Sequence, residues 1–351
     1  MRHKSVVFEK FRAWAAQDQP IVLALVIDTQ GSTYSKRGDF MLITAGGDYQ
    51  GLLSGGCVEG DLALRAQQCS ETGSVARVLY DLGGEHDALW GMGAGCDGTL
   101  TILLIPLTDV SAMQQLVAGY ADRRAGAVGF AWDANGVHWA FSDGQQRGGQ
   151  VTALEARLDA QFRDAQTHID DSGESGWGVL FVKPAPTVLI CGAGRDVNPL
   201  CELLHSLGWH VSVFDHRDAY IDALAALPGV ATTLGEATTL AQRLPLSAFD
   251  AALVMSHHLE RDGDYLVQLS TRPDWPYIAV LGPPHRKQRL LDAMPHAART
   301  ALVSVLKGPA GLAIGGREPV SIALSIVAQM HESLAACGAL DTPATAIIQS
   351  G

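Results

Sequence analysis

The run Thr187-Val188-Leu189-Ile190-Cys191 is short, apolar and β-branched, and it passes without a spacer into Gly192-Ala193-Gly194 and a helix-forming stretch. This junction restricts the fold more than any other part of the chain. A buried strand turning through glycines into a helix opens a dinucleotide-type βαβ unit, in which small residues let backbone approach a phosphate and the helix N-terminus offers free amides. Asp215 ends the next apolar run, 23 positions after Gly192, where an acid can take two ribose hydroxyls. The third glycine of the pattern is replaced by Val197, and Asp196 puts a negative charge at the mouth where a pyrophosphate would sit. Two readings stay open: a Rossmann-type half that binds a nucleotide, and one that does not.

Further apolar runs follow at 251–256, 277–282 and 302–306, with helical stretches near 196–207 and 218–227. Such alternation predicts a parallel sheet with helices on both faces. The N-terminal half reads differently. A helix over about 5–17 precedes apolar strands at 21–27, 41–44 and 100–106, separated by loops richer in glycine than turns alone require, in an α/β or α+β unit. The segments 127–132 and 137–142, joined by Asn135-Gly136, form a hairpin, and 153–165 is helical. Residues 167–176 read as a polar surface loop, and 178–186 as a strand ending in Lys183-Pro184-Ala185-Pro186. Two prolines in three residues make a stiff connector, which places the domain boundary there. The division expected is an N-terminal domain over 1–184, a Rossmann-like domain over 186–316, and a C-terminal amphipathic helix and tail over 317–351, packed on one of the two. The overall class is α/β.

Composition limits the partners. The 351 residues carry 25 Lys and Arg against 37 Asp and Glu, a net charge of −12, so a nucleic acid would meet a repulsive field. No stretch is long and apolar enough for a membrane span, and charged residues interrupt the N-terminus before a secretory signal could develop. Six cysteines, at 57, 69, 96, 191, 201 and 337, lack CxxC spacing and read as reduced thiols of a cytoplasmic protein.

Two glycine-rich segments carry cysteines. In Ser54-Gly55-Gly56-Cys57-Val58-Glu59-Gly60 the thiol stands at the start of a helix, where the dipole and unpaired amides favour a thiolate. Cys57 then suits a nucleophile, a persulfide carrier or a soft-metal ligand, and Glu59 a proton acceptor or pterin anchor. A small buried cysteine is the simpler alternative. Gly93-Ala94-Gly95-Cys96-Asp97-Gly98 offers a second thiol in a loop that exposes backbone. If Cys57 and Cys96 face one cavity, two soft ligands converge; otherwise the second segment is a tight turn. His257 and His258 follow a strand on the ligand side of such sheets, and 285–289 is a basic cluster that suits a phosphate, a partner or solvent. There is no GxSxG elbow, HExxH pair, Walker loop or zinc ribbon.

Taken in order, these segments resemble the XdhC/CoxI family of molybdenum-hydroxylase maturation factors over nearly the whole chain. Gly31-Ser32-Thr33-Tyr34 through Gly38, the SGGCVEG segment at 54–60, the loop at 93–98, Gly192-Ala193-Gly194-Arg195-Asp196, Asp215-His216-Arg217, Val254-Met255-Ser256-His257 and Gly308-Pro309-Ala310-Gly311-Leu312 carry the resemblance. The family commonly has Gly or Asn where this chain has Asp97, and Thr where it has Ser256. The resemblance implies a factor that binds the molybdenum cofactor, as molybdopterin or its cytidine dinucleotide form, supports its sulfuration with a cysteine desulfurase as donor, and inserts it into an apo molybdenum hydroxylase. On that reading Ser54, Gly55, Gly56, Cys57, Gly95, Cys96, Gly192, Gly194, Asp215 and His257 line the cofactor, and Cys57 is the candidate molybdenum ligand. A nucleotide at the Rossmann-like domain and a homodimer are both compatible with it. Two other functions stay in view: an NAD(P)-dependent oxidoreductase using Gly192 and Asp215, and a scaffold that docks the client without touching a cofactor.

Overall fold

Ile21 to Ile27 are buried without interruption, so the strand they form must be covered on both faces. A computed structural model of the chain describes residues 4–56, 58–82, 98–144, 147–149, 152–165, 167–171 and 175–340, and it divides into two compact units, Met1–Pro184 and Ala185–Gln349.

The first unit runs α1 (Lys4–Ala15), β1 (Ile21–Gln30), β2 (Phe40–Thr44), β3 (Tyr49–Gln50), α2 (Glu59–Thr72), β4 (Ala76–Asp81), β5 (Thr99–Pro106) and α3 (Ser111–Ala121). It continues with the hairpin β6 (Gly126–Asp133) and β7 (Gly136–Ser142), then β8 (Arg147–Gly149), α4 (Thr152–Asp164), β9 (His168–Asp171) and β10 (Gly176–Val182). Two five-stranded sheets result, ordered β3-β2-β1-β5-β4 and β8-β7-β6-β10-β9, and every pairing is antiparallel. That resolves the choice left by the sequence in favour of α+β for this half. On α2, Glu59, Leu62, Ala66 and Cys69 recur at helical spacing and form the buried stripe that packs across β1, β2 and β5.

One segment read as loop is partly strand. His168–Asp171 pairs with β10, because Ile169 has a buried place to fill and His168 stacks on Trp177 across the pair, with ring centroids 4.7 Å apart.

The second unit runs β11 (Thr187–Cys191), α5 (Val197–Ser206), β12 (His210–Asp215), α6 (Asp218–Ala225), β13 (Val230–Leu234), α7 (Leu240–Arg243) and β14 (Ala251–Val254). It ends with α8 (Leu259–Leu269), β15 (Tyr277–Val280), α9 (Pro284–Ala293), α10 (His296–Leu302), β16 (Leu306–Lys307) and α11 (Pro319–Ala336). The six strands are parallel in the order β13-β12-β11-β14-β15-β16, the doubly wound order of a Rossmann fold. Alternation along β11 shows both faces covered: Val188 and Ile190 enter one core with α5 and α11, while Leu189 and Cys191 enter another with α8 and α9. The run at 302–306 is not the strand its composition predicts. Ala298 and Leu302, one helical turn apart, are the buried pair, so α10 consumes the start of the run and only Leu306–Lys307 pairs with β15.

Helix α11 belongs to this second core. Trp209 stacks on His331 with centroids 5.9 Å apart, and the Tyr277 hydroxyl donates to Gln329 Oε1 at 2.9 Å. Among the described residues no helix is long and apolar enough to cross a membrane. Met330 is fully buried against α5 and the sheet, so Met330→Ala should destabilise the second unit by about 2–4 kcal/mol. Denaturant unfolding followed by hydrogen exchange should place the loss in residues of the second unit and leave β1 protected.

Candidate functional site

The register of the first sheet brings the described ends of three connections to one edge. β1 ends there at Gln30, paired with Thr99 at the start of β5, and β4 ends there at Asp81, also opposite Thr99. The loop 31–39 returns to β2 at the same edge, since Phe40 pairs with Leu25. Gly51 then brings the next loop against the start of β2: a Cβ there would lie 2.5 Å from Met41 Cβ, and its φ of +119° is open only to glycine. Helix α2 starts at this edge and runs away from it. Gly98 closes the third loop, so tightly against the first that a Cβ would lie 2.5 Å from the Gln30 carbonyl oxygen.

Between Gly51 and α2 the chain is held by a buried acid. Glu59 is 1% exposed, yet its carboxylate is well satisfied. Oε1 accepts the amides of Leu53 at 3.0 Å and Ser54 at 2.8 Å, and Oε2 accepts the Ser54 hydroxyl at 2.5 Å. The same hydroxyl oxygen accepts the amides of Gly56 at 3.1 Å and Val58 at 3.2 Å. This network fixes the backbone on either side of position 57. Gly55 and Gly56 are exposed, and a Cβ on either would meet no atom of the described residues within 4 Å. Packing among the described residues does not demand glycine at Gly55, while at Gly56 the φ of +108° does. Cys57, Gly95 and Cys96 lie outside the described residues; their neighbours Gly56, Val58 and Gly98 stand at this edge. A residue that the sequence does not single out joins them. Ser35, in the loop 31–39, is buried, and its hydroxyl has no hydrogen-bond partner among the described residues.

In the second unit, Gly192, Gly194, Asp215 and His257 collect at the C-terminal edge of the parallel sheet, around the switch point between β11 and β14. Gly192 (φ +116°) presses on the chain leaving β14, where a Cβ would come within 2.7 Å of the Ser256 backbone. Asp215 is fully buried. It accepts the Ala193 amide at 2.7 Å, the Arg217 amide at 2.8 Å, and the Arg217 guanidinium at 2.9 and 2.7 Å. Burial pushes its carboxyl up, but the Arg217 and Ala193 hydrogen bonds together outweigh this and hold it below its ordinary value. Burial, with Asp262 and Asp215 nearby, drives the Cys191 thiol well up, so it is no nucleophile.

Asp196 and His257 meet across the crevice, Oδ2 to Nε2 at 2.8 Å, with His257 held at φ +61°. Behind them, Asp262 accepts the Ser256 hydroxyl at 2.5 Å and binds Arg286 at 2.6 and 3.0 Å. Arg286, part of the basic cluster in the sequence, is thus committed to a partner 24 positions away that no local pattern announces. Among the described residues no group of three or more His, Cys, Asp or Glu side chains is placed to hold a metal ion.

The two halves match known families separately. A model of the XdhC Rossmann domain matches residues 188–330, and a model of the XdhC and CoxI family matches residues 14–81. The chain is 30% identical over 324 residues to a Bacillus subtilis (strain 168) protein named as a probable xanthine dehydrogenase subunit, covering 89% of this chain and 92% of that one. It also resembles the crystal structure of a xanthine dehydrogenase from Bacillus halodurans, with a TM-score of 0.76, 28% identity, and coverage of 93% and 95%.

Two buried acids give two predictions. Glu59→Ala strands two amides and a hydroxyl, and should destabilise the first unit by about 2–4 kcal/mol, with Glu59→Gln closer to wild type, read by denaturant melts and by faster exchange of the Leu53 and Ser54 amides. Asp215 has a depressed folded value, so its contribution is complete above its ordinary 3.8 and is lost as pH falls through the folded value. Asp215→Asn should cost about 2–3 kcal/mol at neutral pH. The gap to wild type should narrow in acid, as measured by urea unfolding across the pH range.

Proposed function

The chain belongs to the XdhC and CoxI family, and on that premise we propose that it is an accessory factor for a molybdenum hydroxylase of the xanthine dehydrogenase type. It holds the molybdenum cofactor, supports its sulfuration with a cysteine desulfurase as donor, and passes it to the apo-enzyme. The observation that carries this reading is the corner at 53–59, where Glu59 and Ser54 rigidify a backbone whose two exposed glycines have no neighbour among the described residues against a Cβ.

The donor set suits such a guest. A pterin with a phosphate or nucleotide tail is recognised by backbone amides and small hydroxyls, and the exposed loop at Gly55 and Gly56 supplies backbone of that kind. A bound molybdenum cofactor supplies the metal centre that carries the transferable sulfur. Ser54 and Glu59 orient the loop, the glycines admit the guest, and the Cys57 thiolate is the soft ligand assigned to the metal. Glu59 acts here as a positioning residue, because its oxygens are engaged with Leu53 and Ser54.

The test is retention. Incubated with molybdenum cofactor and desalted, the wild-type protein should keep molybdenum and pterin together, and Cys57→Ala should lose on the order of tenfold or more of that affinity while melting as wild type does. Activation of an apo-hydroxylase should fall in parallel. Undiminished retention and activation by Cys57→Ala would remove the central residue of this reading.

A further inference from the structure

We infer that the Rossmann half of this protein is closed to dinucleotides because its own carboxylates stand where the ligand's phosphate and ribose would go, and that Asp196 is the residue that excludes them. In a dinucleotide-binding unit three places matter: the second glycine, where backbone meets the pyrophosphate; the acid after the second strand, which takes the ribose; and the third glycine, which lets the helix approach the sheet. Each is filled here from within.

At the first place, the Asp196 carboxylate folds back over Gly194, so closely that a Cβ built on that glycine would lie against Asp196 Oδ1. The other oxygen, Oδ2, is pinned by His257 Nε2 at 2.8 Å from the opposite side of the crevice. A carboxylate therefore already stands at the start of α5, covalently attached and held by His257. The preceding amides are also spent: Gly192 donates to the Phe214 carbonyl at 2.9 Å and Ala193 to Asp215 at 2.7 Å. At the second place, Asp215 is fully buried and saturated by Ala193 and Arg217, leaving no oxygen for a ribose. Arg217, which could otherwise meet a 2′-phosphate, spends its guanidinium on the same acid and lies over the Tyr220 ring at 4.3 Å. At the third, Val197 is fully buried and belongs to the core shared with α11.

Charge decides the matter. A ligand diphosphate brought to Gly194 meets the Asp196 carboxylate at contact distance, and like charges placed together are strongly disfavoured when water is excluded. Relief requires Asp196 to leave both Gly194 and His257. This inference is independent of the molybdenum cofactor and of Cys57, so it can fail while the proposed function stands, and the reverse.

Titration of the full-length protein with NADH, NADPH and ADP, by calorimetry and by nucleotide fluorescence, tests it. The wild-type protein should give no saturable signal. Asp196→Ala should gain ADP binding, tighter than wild type by about tenfold or more. Asp196→Asn, which keeps the hydrogen bond to His257 and the local packing, should gain part of that. His257→Ala should gain nothing, since the charge over Gly194 remains. Saturable NADH or NADPH binding by wild type overturns the inference. So does the absence of any gain in an Asp196→Ala or Asp196→Asn protein that melts as wild type does.

Discussion

A carboxylate buried beneath a glycine-rich turn is the constraint on which both halves of this molecule rest. A charge removed from water is tolerated only if hydrogen-bond donors surround it, and in a turn the nearest donors are backbone amides. Glu59 gathers the amides of Leu53 and Ser54. Asp215 gathers those of Ala193 and Arg217. Asp262 gathers the amide and hydroxyl of Ser256. In each case a loop segment at a sheet edge is given one conformation.

Glycines along these edges fall into two groups. At Gly51, Gly98 and Gly192 a side chain would collide with backbone, so those positions are explained by the protein's own packing. At Gly55 and Gly56 a Cβ would meet no atom of the described residues within 4 Å. Packing among the described residues does not require glycine at Gly55, whereas at Gly56 the φ of +108° does. The second unit shows the opposite treatment: its inherited ligand edge is filled by Asp196, His257 and Arg217, a Rossmann sheet kept for its architecture with its crevice occupied from within.

Much of this was legible in the chain. Apolar runs located β1, β2, β5, β11, β12, β14 and β15, and the Asn-Gly pair located the β6–β7 hairpin, because burial and turn stereochemistry are local demands. The strand at 168–171 and the helix ending at Leu302 were not legible, since each depends on which of its few apolar residues finds a cavity in the assembled core. At the sites, residue types were readable and their roles were not. Glu59 reads as a proton acceptor until its partners at 53 and 54 are seen, and Asp215 reads as a ribose ligand until Arg217 is seen folded onto it.

By itself the sequence determined the parallel-sheet class of the second half, the strand-turn-helix at 187–206 and the resemblance to the family, all of which follow from short-range pattern and ordered motifs, while the antiparallel pairing of the first half awaited the structure. Only the tertiary structure decided that Gln30, Gly51 and Gly98 of the first unit come to one sheet edge, and that Asp196 meets His257, 61 positions further along the chain. The reason is physical. Propensity and periodicity act over a few residues, whereas register and the neutralisation of buried charge depend on which distant segments the folded sheet sets side by side.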